Sequence, residues 1–137
     1  MFLQNLGYAL VQVAHNFGAV AIVAGAAFML FMESQPDSLQ RKFAWLVGFG
    51  WGTQVLSGMA FGAISYYYYE KFPDIHGIAI AALGVKMLCA ASGLFLVALY
   101  LRYAGIWSDT RRHNSWKILF TLGTIALASA AFLRWFS

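Results

Sequence analysis

Two side chains in this sequence could do chemistry where a charged or ligand-capable group is expensive to keep. His15 lies inside the apolar run from Leu6 to Met32, and Lys86 lies inside a second run that follows His76. His15 is nine residues past Leu6, or about 13 Å along a helix. Lys86 is ten residues past His76, or about 15 Å. Both depths approach the middle of a hydrocarbon core about 30 Å thick. A central lysine costs about 2.5–3.5 kcal/mol on insertion scales, so an ionisable group there is a functional-site hypothesis by default. A neutral imidazole is a common axial ligand of haem iron. His15 is therefore the candidate metal and cofactor ligand. Lys86 is a candidate second ligand, propionate partner or catalytic proton donor. His76 could serve a propionate or be a second ligand, and reads equally well as a wet loop histidine. His113, in a basic loop, reads as surface.

The spacing around these residues suggests a shared layer. Tyr8, Gln12, His15 and Ala19 fall at helical offsets and should share one face. Lys86 shares a face with Ala79, Ala82, Cys89 and Gly93, all small. Gln54 falls at a similar depth in the second run, and Thr121, Thr124, Ala128 and Ala131 form a small face on the last one. A plainer reading stands beside the functional one. Polar groups in membrane helices often only bond neighbouring helices, and a lysine can snorkel along small neighbours toward an interface. Small residues beside a buried ligand would leave room for something flat or bulky.

The elements that must position these residues are legible in composition. The chain has 137 residues, 61% hydrophobic and 10% charged, against about 25% charged in a soluble domain. It reads as one all-α domain, an integral membrane four-helix bundle over 1–137, with helices at about 4–32, 39–66, 75–103 and 109–136. The break at Glu33-Ser34-Gln35-Pro36-Asp37-Ser38 follows from proline, with Asp or Ser to cap the next helix. Asp74 is the expected cap of helix 3. Gly48/Gly52 and Gly58/Gly62 are small-xxx-small pairs that would allow close helix approach. Tyr66–Tyr69 reads as an aromatic belt among headgroups.

Arg41, Lys42, Arg102, Arg111, Arg112 and Lys117 fall in two loops on one side, against Lys71 and Arg134 on the other. The positive-inside rule then predicts a multi-pass protein of the inner or plasma membrane with both termini outside. The first run has no basic region before it and no clear cleavage site, which predicts a retained helix. The net charge of +4 reads as orientation signal, with no nucleic acid as partner. The single cysteine, Cys89, excludes an intrachain disulfide and a cysteine-based metal cluster.

The layout resembles the small four-helix membrane proteins of the copper-resistance CopD family and the HemJ-type protoporphyrinogen IX oxidases. The residues that carry the resemblance are Val13-Ala14-His15-Asn16-Phe17-Gly18, the Gly- and Trp-rich second helix, and Gly84-Val85-Lys86-Met87-Leu88 in a third helix ending Leu101-Arg102. A basic loop then leads into a short last helix. The resemblance spans most of the chain. It implies a b-type haem and His15 with Lys86 as the functional pair. Asn16-Phe17-Gly18-Ala19 stands where HemJ-type proteins usually show Trp-x-x-Gly after the histidine. Leu83-Gly84-Val85 stands where they tend to place a histidine before the lysine. The resemblance thus implies a haem or redox role more than any one reaction.

The first expectation is a membrane haem b protein in electron transfer or a small oxidoreductase, with a redox partner or larger complex beside it. The alternatives are a non-catalytic transmembrane subunit and copper-ion handling through Met29, Met32 with Glu33, Met87 and Cys89, since soft sulfur suits Cu(I). Membrane lipid is an expected partner, and a homo-oligomer is left open.

Overall fold

The computed structural model describes residues 1–32 and 34–137. Glu33, read above as part of the first break and as a neighbour of Met32, lies outside the described residues. Four helices account for nearly all of the chain: α1 (Phe2–Phe31), α2 (Asp37–Tyr69), α3 (Ile78–Tyr103) and α4 (Asp109–Phe136). A single 3-10 turn, Ala104–Ile106, extends α3. No strand occurs among the described residues.

The breaks have local causes. Pro36 precedes α2 and offers its carbonyl to Leu39 and Gln40, with no side-chain cap. Asp37 opens the helix, and its carboxylate pairs with Arg112 instead of capping. At the other end of α2 the Tyr66–Tyr69 run is the last helical turn, and Glu70 takes a left-handed conformation (φ 54°) to end it. Asp74 does not cap α3. Gly77, at φ 52°, makes the turn into Ile78, and the Asp74 carboxylate lies 3.2 Å from His76 Nε2. Glycine tolerates that backbone where other residues are strained. Ser108 caps α4 by accepting from the Arg111 amide at 3.2 Å.

The helices form a closed ring. Short connections make successive helices antiparallel, and α1 and α3 each lie between α2 and α4. Three of the four, Phe2–Phe31, Ile78–Ile106 and Asp109–Phe136, are long and apolar enough to cross a membrane. Gly, Ser, Thr and Gln dilute the apolar character of α2. It nevertheless runs alongside α1 through the same depth, from Gln4 against Tyr69 to Phe28 stacked on Phe43.

Large buried side chains sit in one half of the bundle. Trp51, Val47, Trp116 and Leu119 fill the half toward the α1–α2 and α3–α4 loops. There Trp116 donates to the Tyr100 hydroxyl, which donates to Gln40, and Arg112 ties Asp37 to the Trp107 carbonyl. Toward the termini the buried residues of α2, α3 and α4 include Ser57, Ser65, Ala79, Ala82 and Ser129, none of them large.

Close approach is made by other glycines than the paired ones. A Cβ on Gly50 would lie 2.9 Å from the Gly18 carbonyl oxygen and 2.8 Å from Ile22. Gly93 lies under the Trp51 indole, and a Cβ on Gly123 would lie 2.8 Å from Ile22. Of the pairs expected from sequence, Gly48 meets Val97, whereas Gly52 and Gly58 face open space and Gly62 meets only Phe72. The proposed α4 face is also corrected. Thr121, Thr124, Ala128 and Ala131 are exposed, and α4 buries Ser115, Trp116, Leu119, Gly123, Ala126 and Ser129. Each threonine hydroxyl donates to the carbonyl four residues earlier in its own helix, so neither needs a partner helix.

Gly93→Ala should lower stability by about 1–3 kcal/mol, because a rigid indole must move. Gly52→Ala, with no neighbour for its methyl, should be neutral or stabilising through helix propensity. Thermal unfolding of both variants in detergent checks the contrast.

Candidate functional site

Three helices contribute to one polar cluster. On α1 the inward stripe runs His15, Gly18, Ile22, Gly25, Met29. Gln12, expected on the same face as His15, turns out and donates to Asn16 at 2.7 Å. The His15 ring therefore enters the bundle above the Gly18–Gly50 contact. On α3 the expected stripe of Ala79, Ala82, Lys86, Cys89 and Gly93 is the inward one. It carries Lys86 Nζ to 3.0 Å from His15 Nε2, across the bundle diagonal. On α2, Gln54 Nε2 donates to the His15 carbonyl at 2.6 Å, and Ser57 Oγ lies 2.6 Å from His15 Nδ1. Phe61 meets the imidazole edge-on, with ring centroids 5.9 Å apart.

Ser57 decides which ring nitrogen carries the proton. Its hydroxyl has one hydrogen, used in a 2.6 Å bond to the Thr53 carbonyl. With that bond made, it accepts from His15 Nδ1–H, the tautomer this geometry favours. Nε2 then holds its lone pair toward Lys86, which donates to it. A histidine fixed in this tautomer by a partner on its other nitrogen is prepared to ligate a metal through Nε2. Lys86 Nζ keeps at least one further N–H, for which no bond appears among the described residues. The cluster can thus do two things. It presents a directed lone pair at Nε2, and it holds a transferable proton at Nζ 3.0 Å away.

The other candidates are placed apart. His76 sits in the loop before α3, its side chain 79% exposed, paired with Asp74. His113 is exposed and lines a cleft of about 440 Å³ at the loop end with Met29, Met32, Asp37, Arg112 and Trp116. Met87 faces outward and Cys89 inward on α3, so Met29, Met32 and Met87 are not gathered. Among the described residues, no three His, Cys, Asp or Glu side chains come together as a metal-ion site.

Ser57 was not foreseen. The signal was present, since it follows Gln54 by three residues on one helical face, but serine in a membrane helix is common enough to pass unremarked. Comparison with family models, curated proteins and solved structures finds no match. The class is defined by the fold itself, an all-α helical bundle with three helices able to cross a membrane.

Two measurements test the cluster. Nitrogen-15 NMR of the His15 ring should show Nδ1 protonated and Nε2 bare, and Ser57→Ala should mix the tautomers. Gln54→Leu should cost about 0.5–2 kcal/mol in detergent unfolding, the range for an interhelical hydrogen bond in a membrane protein.

Proposed function

We propose that this chain is an integral membrane b-type haem protein in redox or electron transfer, related in kind to the HemJ and CopD proteins its sequence resembles. The observation that carries the reading is the setting of the His15 ring: Nδ1 lies 2.6 Å from Ser57 Oγ and Nε2 is turned to Lys86 Nζ, an arrangement that favours a proton on Nδ1 and a lone pair on Nε2. The donor set fits a haem better than a bare ion. His15 supplies one ligand, and among the described residues it belongs to no group of three His, Cys, Asp or Glu side chains, whereas a porphyrin brings four nitrogens of its own. The buried residues Ala79, Ala82, Ser57 and Ser129 on the terminal side are all small, which supports a reading in which a flat group packs beside His15. With Cys89 as the only cysteine, non-covalent binding follows, because covalent attachment of c-type haem uses two.

In this reading His15 Nε2 would hold the iron, with Ser57 and Gln54 fixing the ring and backbone behind it. Bound haem would supply one-electron chemistry. Lys86, 3.0 Å from that nitrogen, would serve as a second ligand or as the group that holds a proton at Nζ, and would be the catalytic residue if a substrate is oxidised. His76, exposed in the loop before α3 and paired with Asp74, would serve a propionate more readily than the iron. In this reading the Arg-rich loops face the cytoplasm and both termini lie outside an inner or plasma membrane, which the positive-inside rule supports.

The test is an absorption spectrum of the detergent-extracted, haem-supplied protein, oxidised and dithionite-reduced. A sharp Soret band with reduced α and β bands is expected, with haem content falling at least about tenfold in His15→Ala, as for loss of a metal ligand. Lys86→Met should retain haem with a changed spectrum if Lys86 is the second ligand. A featureless spectrum from a folded preparation overturns the haem reading and favours a non-catalytic subunit of a larger complex.

A further inference from the structure

The ring of helices is not equally closed on all sides. Along the α3-facing edge of α2, Gly48 meets Val97 and Trp51 lies on Gly93. The same edge continues one, two and three turns on through Val55, Gly58 and Gly62. There the contact with α3 is lost. Val55 is 38% exposed, Gly58 has nothing within 4 Å of where a Cβ would stand, and Gly62 meets only Phe72 of the following loop. The facing edge of α3, from Gly93 and Val97 back through Ala90, reaches Lys86 and Leu83, both only part-buried. Above Trp51, α2 and α3 therefore diverge, leaving a gap that opens sideways toward lipid with Lys86 on one wall.

One polar group borders this gap with hydrogens to give. Lys86 uses one N–H on His15 Nε2 and has at least one more, to which lipid offers no acceptor. Beneath the gap the Trp51 indole is only 1% exposed, its Nε1 packed on Gly93. The remaining walls, Val55, Gly58, Gly62 and Leu83, are apolar or bare backbone. The chemistry that fits is a flat apolar ring carrying carbonyl oxygens, which accept hydrogen bonds and carry no charge to desolvate.

We propose that the gap between α2 and α3 is a lateral binding site for a membrane-dissolved quinone-class molecule, whose carbonyl oxygen accepts from Lys86 Nζ. This deepens the redox reading above by naming the class of partner that meets the His15–Lys86 pair. It stands on the gap and its donor, not on haem.

The probe is decyl-benzoquinone added to the protein in detergent, read by quenching of tryptophan fluorescence, since Trp51 lies at the floor. The expected result is saturable quenching whose apparent Kd rises at least about tenfold in Lys86→Met, as for one lost hydrogen bond to a buried group. A similar rise is expected in Gly58→Leu, whose side chain enters open space and fills the gap. Gly52→Leu, on an open position outside this edge, should bind as the parent does. Circular dichroism and elution profile establish that each variant is folded. Linear, non-saturable quenching in the parent, or saturable quenching unchanged in Gly58→Leu, overturns the proposal. Haem content is read on the same samples. Gly58-dependent quinone binding by haem-free protein would uphold this site while the haem reading fails, and a haem-loaded protein with only linear quenching would do the reverse.

Discussion

In a bilayer core there is no water to finish an incomplete hydrogen bond, and the whole centre of this bundle follows from that constraint. An imidazole has two nitrogens, and a helix carrying one at mid-depth can be stable only if other helices satisfy both. Here α2 supplies Ser57 to Nδ1 and α3 supplies Lys86 to Nε2. The Ser57 hydroxyl is satisfied in turn by the Thr53 carbonyl, and Gln54 reaches the His15 backbone. The lysine, costly by itself, becomes the donor that completes the histidine. Neither residue can be removed without stranding the other, so position and identity at all four sites are coupled through one network.

That network sets how closely the helices must come, and glycine makes the distance possible. Gly18 and Gly50 let α1 and α2 touch backbone to backbone just below His15, and Gly93 receives the Trp51 indole one layer further down. The large core of Trp51, Trp116, Leu119 and Val47 fills the loop half, while the fully buried residues of the terminal half are small. A bundle built this way is firm beneath its polar pair and permissive above it. Such an arrangement suits a site that must admit a ligand without losing its geometry.

The sequence revealed the fold through bulk properties and the site through rarity. Four apolar runs separated by Pro36, Pro73 and Ser108 define four helices within a few residues. An isolated histidine and an isolated lysine at mid-depth stand out because the membrane makes each expensive. The lysine's small stripe was correct because Ala79, Ala82, Cys89 and Gly93 leave little ambiguity about which side can approach a neighbour. The α4 stripe was misplaced because threonine looks polar in a sequence yet satisfies its hydroxyl on its own helix, whereas Trp116 and Leu119 needed burial more. Asp74 looked like a cap, but only Gly77 could adopt the backbone of that turn. The glycine pairs misled for a related reason. Spacing identifies where a close contact is permitted, and the partner's shape decides where it occurs.

The order in which the chain is made bears on when the site exists. Its contacts divide into two hairpins, α1 with α2 and α3 with α4, joined by the segment from Glu70 to Gly77. Within the first hairpin Gly18 meets Gly50, and within the second Tyr100 meets Trp116. Lys86 to His15, Trp51 to Gly93, Ile22 to Gly123 and Arg112 to Asp37 all cross the seam between them. If the hairpins formed one at a time, the first would hold His15 bonded at Nδ1 to Ser57 alone, with Nε2 unmet, and the second would hold its lysine unpaired. Joining the hairpins would then relieve both groups at once, with Arg112 and Asp37 fastening the seam at the loop end. The central polar pair is thus also a contact that favours one pairing of the two halves over others.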